Sequence, residues 1–166
     1  MTLIIALACR DGVVLGSDGQ ATTFSTGGPI RRNISKIKYL GDNKLWGASG
    51  SVGMIQKIES AFTALPREIL NAPLSENQLR QAILTNAHAI RAQELNRHRS
   101  LHGPGRDAEA GVADILIVEN LNSPRIWHIN PDCADEFLEE FGYGASGSGD
   151  ISVSYTHLTL PTNREV

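Results

Sequence analysis

Short apolar runs separated by turns fill about the first fifty residues, and this pattern constrains the fold more than any other feature of the chain. Leu3–Cys9 is an apolar run without a helical stripe, and Arg10-Asp11-Gly12 separates it from a second run at Val13–Asp18. Two such runs around an Asp-Gly turn are typical of a β-hairpin. Residues Ile34–Leu40 alternate in the manner of a strand, and Lys44–Ser49 follows after a short turn. We therefore predict a first antiparallel sheet built from local hairpins.

Two helices and then further strands follow this sheet. An apolar stripe that begins at Val52 and ends near Pro66 predicts the first helix, and Ser75 is predicted as the N-cap of the second. The inner face of the second helix is predicted to carry Leu79, Ile83, Ala87, Ile90 and Leu95. Residues 98–110 are predicted as a loop, and strands are predicted at Ala113–Glu119, Arg125–Ile129, Asp135–Glu140 and Tyr143–Ser146. The order of strands, two helices and strands indicates an α+β fold, in which the helices cover one face of a sheet.

The composition excludes several classes of protein. With 166 residues, 41% of them hydrophobic, the chain is long enough for one domain with a core. The net charge is −3 and the basic residues are scattered, so no nucleic-acid partner is predicted. No apolar run has the length of a membrane helix, and the N-terminus lacks the features of a secretory signal. The histidines have no metal-ligand spacing, and two cysteines are too few for a disulfide framework, so a cytoplasmic protein without metal is expected.

The end of the sequence is different in character. The stretch from Val153 to Thr162 resembles the translation of an adapter used in sequencing libraries. A short strand followed by a proline-ended terminus is the ordinary alternative. We expect residues 152–166 to be a non-native tail, and residues 1–151 to form one incomplete domain.

Thr2 is a candidate nucleophile. Because Thr2 is small, the initiator Met1 can be removed, and Thr2 would then carry a free α-amine. A threonine hydroxyl is a weak nucleophile until a base takes its proton, and an N-terminal amine can be that base. This chemistry also needs a cation beside the amine, an acid that positions the cation, and donors for an oxyanion. Many proteins start with Met-Thr, so Thr2 alone does not identify an enzyme.

Three further positions offer these groups. Asp18 ends the second apolar run in the sequence Asp-Gly-Gln-Ala-Thr, and Lys36 lies between apolar neighbours in the next predicted strand. Gly50 comes just before a predicted helix, where its backbone N–H could face an anion. Taken singly, Asp18 could be a turn residue, Lys36 a solvated lysine and Gly50 a turn former.

In this order, these residues resemble the proteasome β-subunit family. The Asp-Gly-Gln-Ala-Thr segment is similar to that of the bacterial HslV-type peptidase and its proteasome-related relatives, and the resemblance extends over about residues 2–150. It implies that Thr2 is the nucleophile, that Asp18 orients Lys36, that Lys36 lowers the pKa of the amine, and that Gly50 donates to the oxyanion. The Gly-Ser-Gly turn near the end implies that Ser148 forms a hydrogen bond near the threonine amine.

The sequence also departs from the family pattern. Leu3 stands where many members have a second threonine, and the segment between Asp18 and Lys36 is slightly longer than usual. The choice of Lys36 over Lys38 therefore rests on Ile37, which follows it. The family places a further aspartate and serine beyond the Gly-Ser-Gly turn, and we expect the intact gene to supply them past about residue 150.

The resemblance also implies a pocket for a substrate side chain. Its predicted lining is small and apolar, which favours cleavage after apolar residues, and Lys38 at the rim would add a preference for acidic ones. The predicted lining residues are Ala21, Ile34, Lys38, Ala48 and Val52.

The family resemblance implies a four-layer αββα sandwich of the N-terminal-nucleophile hydrolase type, truncated at its C-terminal end. It implies a threonine-type endopeptidase subunit that needs no cofactor, assembles into stacked homo-oligomeric rings and receives unfolded protein or peptide substrates from an ATPase. The alternative is a non-catalytic structural ring subunit of the same fold. A glycine pattern at residues 142–147 also matches a dinucleotide-binding fingerprint, but no parallel-sheet pattern precedes it.

Overall fold

The structure is a computed structural model that describes residues 2–25 and 28–148, with side chains described outside residues 21–33. The predicted non-native tail, residues 152–166, lies outside these ranges. The strands are β1 (Ile4–Cys9), β2 (Gly12–Ser17), β3 (Gln20–Ser25), β4 (Gly28–Asn33), β5 (Ile37–Tyr39), β6 (Lys44–Gly50), β7 (Ala113–Asn120), β8 (Pro124–Ile129), β9 (Asp135–Phe137) and β10 (Tyr143–Ser146). The helices are α1 (Val52–Thr63), α2 (Arg67–Asn71) and α3 (Asn77–His102), followed by a 3₁₀ turn at Asp107–Glu109.

The first sheet has the order β10-β1-β2 and is antiparallel. The hairpin predicted around Asp11-Gly12 is confirmed, because β1 and β2 pair from Cys9 with Gly12 to Ile4 with Ser17. On the other side of β1, strand β10 returns from the far end of the sequence and pairs Ile4 with Ser146. The ends of β1, β2 and β10 therefore lie side by side at one edge of the sheet.

The second sheet has the order β5-β6-β7-β8-β9, and all of its neighbours are antiparallel. Strands β3 and β4 pair only with each other in the described part of the chain. The strand predicted at Ile34–Leu40 is shorter than expected, because residues 34–36 are not part of β5. Lys36 therefore lies on a connecting segment that leads into the sheet.

The two sheets stack face to face, and the helices cover the outer face of the second sheet. Side chains of β1 pack against β7 and β8 in a small apolar cluster between the sheets (Ile4, Ala6, Leu116, Val118, Ile126). A larger cluster on the opposite face joins the second sheet to the helices and contains Trp46, Met54, Phe62, Ile83, Ile117 and Trp127, among others. Buried residues thus alternate between both faces of β7, as expected of a strand covered on two sides. The α+β sandwich is confirmed, with one helical and two sheet layers among the described residues.

The helices differ from the prediction in four ways. Helix α2 was not predicted, and α3 has Glu76 rather than Ser75 as its N-cap. Helix α3 also continues to His102, five residues into the predicted loop. Its buried face follows an i, i+4 step from Ile90 to Glu94, so Glu94 takes the inner position that was predicted for Leu95. Glu94 is acceptable there because Lys57 and Arg97 both bond to its carboxylate.

A buried ion pair lies at the end of the second sheet where β6 begins and β7 ends. The Nζ of Lys44 lies 3.3 Å from Oε1 of Glu119, and both side chains are 2% exposed. The two carboxylate oxygens of Glu119 accept from the backbone N–H of Leu74, and Lys44 donates to the carbonyl of Leu70. The pair thus links β6 and β7 to α2 through Leu70, and to the segment between α2 and α3 through Leu74.

Candidate active site

The five residues predicted to carry the chemistry come from the ends of different strands. Thr2 precedes β1, Asp18 follows β2, and Lys36 precedes β5. Gly50 ends β6, and Ser148 follows β10. The strand pairing of β1 with β2 and with β10 places three of these ends together, and the stacking of the sheets adds the other two.

Asp18 and Lys36 form the charged centre of this group. The Nζ of Lys36 lies 2.8 Å from each carboxylate oxygen of Asp18 and 3.3 Å from Oγ1 of Thr2. Lys36 is 8% exposed, so its charge is held away from water and beside the threonine hydroxyl. Burial acts to raise the pKa of Asp18, but the Lys36 ammonium and the N–H groups of Leu3 and Gln20 outweigh it and lower that pKa. Asp18 is therefore ionised at neutral pH.

Ser148 lies on the other side of Thr2. The backbone nitrogen of Thr2 donates to Oγ of Ser148 at 3.2 Å. Gly147 makes this approach possible, because its φ is +105° and an added Cβ would lie 2.2 Å from the carbonyl oxygen of Thr2. A residue with a side chain at position 147 would therefore displace the segment that carries Thr2.

Gly50 lies beside the site, close to the backbone of Val112 and next to Ser49. Its φ is +116°, and an added Cβ would lie 2.3 Å from the carbonyl oxygen of Val112. Ser49 and Ser146, both buried, share a hydrogen bond of 2.8 Å between their hydroxyl groups. This bond joins β6 of the second sheet to β10 of the first, one residue from Gly50 and two from Ser148.

Comparison with known proteins agrees with this arrangement. A family model described as "Proteasome subunit" matches residues 2–68. No curated protein sequence matches the chain. The family-model match, together with the structural likeness to HslV described next, supports assignment to the proteasome β-type family.

Solved structures of proteasome-related proteins share the fold. Eukaryotic HslV from Trypanosoma brucei superposes with a TM-score of 0.59 at 18% identity, over 99% of this chain and 82% of HslV. Anbu, an ancestral β-subunit, from Yersinia bercovieri gives 0.66 at 13% identity, over 95% of this chain and 65% of Anbu. The helical assembly of the Anbu complex from Pseudomonas aeruginosa gives 0.68 at 10% identity, over 95% and 66%. The chain spans 60% of the Anbu (Gly-1) mutant from Hyphomicrobium sp. strain MC1, so it corresponds to about two thirds of an Anbu chain.

The family-model match over residues 2–68 and the shared fold agree with each other. They support a proteasome-like peptidase or a structural subunit, in a family of hydrolases. Within the described ranges, no helix combines the length and the hydrophobicity needed to cross a bilayer. In the same residues, no three histidine, cysteine, aspartate or glutamate side chains come together as metal ligands.

A cavity of about 330 Å³ opens beside Thr2. Four residues predicted to line the substrate pocket, Ile34, Lys38, Ala48 and Val52, lie on its wall together with Gly50. The side chain of the fifth, Ala21, lies outside the described residues.

Sequence reasoning missed six other residues of the cavity wall, two of which, Ser35 and Ser49, adjoin the predicted Lys36 and Gly50. Trp46 lies on β6, two residues before Ala48, while Ile55, Gln56 and Glu59 lie on α1. The three helical residues stand three, four and seven positions after Val52, which is the spacing of a single helix face. Once Val52 is assigned to the pocket, this period identifies the rest of that wall.

A charged cluster that the sequence did not predict lies on β7, β8 and β9. Nε2 of His128 is 2.5 Å from Oδ1 of Asp114, and its Nδ1 is 3.2 Å from Oε1 of Glu136. Burial alone would lower the pKa of His128, but the two carboxylates outweigh it and raise the pKa. A raised pKa stabilises the folded state fully below the ordinary value for histidine, and this contribution is lost as the pH rises through the folded-state pKa.

We therefore expect His128→Gln to lower the free energy of unfolding more in acid than in base. The expected loss is about 1–3 kcal/mol near about pH 5.5, where the wild-type imidazole is charged, and clearly less near about pH 9. Urea denaturation at the two pH values measures the difference, and His88→Gln serves as the control because His88 is exposed on α3. An equal loss at both pH values would contradict a charged His128.

Proposed function

We propose that the chain is a threonine-type endopeptidase subunit that acts in the cytoplasm as part of a homo-oligomeric ring. The observation that carries this proposal is the contact between Lys36 and the hydroxyl of Thr2, at 3.3 Å, with Asp18 holding the lysine. In a purely structural subunit, Lys36 would be expected to be solvated and would not need to contact both Asp18 and the hydroxyl of Thr2. The chain spans only 60–66% of the length of the Anbu chains. The ring assembly, the ATPase partner and the unfolded-protein substrates are therefore proposed together with the activity.

The proposed reaction begins with removal of Met1. While Met1 is attached, the nitrogen of Thr2 is an amide and cannot accept a proton. After removal it is an α-amine with an ordinary pKa of about 7.7 to 8.0, and the Lys36 ammonium nearby favours its neutral form. The neutral amine takes the proton of the Thr2 hydroxyl while Oγ1 attacks the carbonyl carbon of the substrate peptide.

The tetrahedral intermediate carries a negative oxygen that the backbone N–H of Gly50 would stabilise. The ammonium of Thr2 then gives its proton to the departing amine as the C–N bond breaks, which leaves an ester on Oγ1. Water then attacks this ester while the amine takes a proton from it. The bond between the acyl carbon and Oγ1 breaks, the ammonium returns the proton to Oγ1, and the second peptide product leaves with a free carboxylate. Ser148, which contacts the same nitrogen, would hold the amine in position throughout.

Covalent labelling tests the proposal directly. We expect the protein expressed from its intact gene to lose Met1 and to form one stable adduct with a peptide that ends in a hydroxyl-reactive electrophile. Peptide mapping by mass spectrometry should locate the adduct on Thr2. Retention of Met1 in an active enzyme, or an adduct on another residue, would overturn the assignment.

The structural ring subunit is the second candidate function. It predicts that the protein assembles but that neither labelling nor peptide turnover depends on Thr2. Gel filtration together with labelling separates the two, since the peptidase must both assemble and react.

A further inference from the structure

Apolar and charged side chains together line the cavity beside Thr2. Trp46 and Ala48 are buried there, and Ile55 is half-buried on α1. Lys38 and Glu59 are more exposed, at 33% and 38% of their side chains, and they also line the cavity. A substrate side chain that enters the cavity would therefore meet these two charges as well as the apolar wall.

Lys38 and Glu59 form an ion pair that joins the two walls of the cavity. Lys38 is the middle residue of β5, and Glu59 lies on the α1 face that begins at Val52. The other lysine of the cavity, Lys36, is bonded to Asp18. Among the described residues that line the cavity, each lysine is thus paired with a carboxylate, and neither Lys36 nor Lys38 presents an unpaired charge to a substrate.

We propose that Glu59 determines the charge preference of this pocket by neutralising Lys38, and that the pocket consequently takes an uncharged apolar side chain. This inference rests on the proposed function. An acidic substrate residue would be repelled by Glu59 and would have to displace it from Lys38. A basic residue would meet Lys38 with the same result. Specificity here is a difference between affinities, and the ion pair disfavours both charged classes.

Removal of one partner should redirect the preference. In Glu59→Gln the ammonium of Lys38 loses its carboxylate and becomes available to an acidic side chain. In Lys38→Met the carboxylate of Glu59 becomes available to a basic one. The two variants therefore predict opposite changes, which a general loss of packing would not produce.

The experiment uses the protein expressed from its intact gene and three fluorogenic peptides that differ only in the residue before the cleaved bond. These residues are leucine, glutamate and lysine. We expect the wild type to favour leucine. The ratio of kcat/KM for glutamate over leucine should rise on the order of tenfold in Glu59→Gln, and the ratio for lysine over leucine should rise similarly in Lys38→Met. High salt should reduce both gains, because the new attraction acts between partly exposed charges.

Glu68→Gln is the matched control, since Glu68 is an exposed glutamate on α2. Its ratios should equal those of the wild type. Unchanged ratios in an active Glu59→Gln protein would overturn this inference and leave the peptidase itself standing. A wild type that cleaves none of the peptides would overturn the proposed function and this inference with it.

Discussion

Replacement of Thr2 by alanine is expected to lower kcat/KM for peptide hydrolysis by at least about a thousandfold, while the assembly stays intact. The change removes the proposed nucleophile and leaves the other groups in place, and loss of a nucleophile in comparable sites costs about 10³- to 10⁶-fold. Hydrolysis of a fluorogenic peptide with leucine before the cleaved bond measures the loss, and gel filtration checks the assembly.

Lys36→Ala should be nearly as damaging as Thr2→Ala. Without the ammonium, the α-amine would be protonated more often, and Asp18 would keep an unpaired carboxylate beside the hydroxyl. Residues that act as a unit have non-additive effects, so the double variant should be little slower than Thr2→Ala. Lys57→Ala is the control, because Lys57 pairs with Glu94 on α3.

Two outcomes would contradict this assignment. Turnover that survives Thr2→Ala would place the nucleophile elsewhere. A larger loss in Lys38→Ala than in Lys36→Ala would mean that the wrong lysine has been assigned to the hydroxyl.

Breaking the buried pair of Lys44 and Glu119 is expected to have the largest effect on stability. Glu119→Ala should lower the free energy of unfolding by about 3–5 kcal/mol, because it leaves the Lys44 ammonium buried without its counter-charge. The backbone N–H of Leu74 would lose its acceptor as well. Urea denaturation followed by tryptophan fluorescence is a suitable measurement, since Trp46 and Trp127 are buried in the core between the second sheet and the helices.

The exposed pair of Arg106 and Glu109 provides the comparison. Both side chains are 54% exposed, so Glu109→Ala should change the free energy of unfolding by no more than about 1 kcal/mol. Equal losses in Glu119→Ala and Glu109→Ala would show that burial does not set the cost at Lys44.

Strands β1, β2, β6, β7, β8 and β10 were predicted well because their signals are local, whereas β3 and β4 were not predicted. The first hairpin follows from two apolar runs around Asp11-Gly12, and β6, β7 and β8 match the predicted strands to within one residue at each end. The site itself spans the chain, since Thr2 and Ser148 are 146 positions apart. No local pattern brings those two residues together, and their expected proximity came from the family resemblance.

The errors arose where tertiary contacts outweigh local preference. The apolar Leu95 was predicted to face inward, but the helical period of α3 places Glu94 there, and charges on α1 and α3 compensate it. In the same way, the sequence gives no reason for Lys38 to have a partner. That pair depends on how β5 lies against α1.

The hydrogen bond between Ser49 and Ser146 gives the site a thermodynamic role as well as a chemical one. It joins β10 of the first sheet to β6 of the second. Thr2 and Gly50, which belong to different sheets, therefore line one cavity only when the two sheets are stacked. A ligand that contacts both sheets therefore binds the folded state alone, and its binding raises the free energy of unfolding. At a concentration of about one hundred times its Kd, such a ligand raises the free energy of unfolding by about 2.7 kcal/mol. Occupancy by such a ligand would thus stabilise the folded domain.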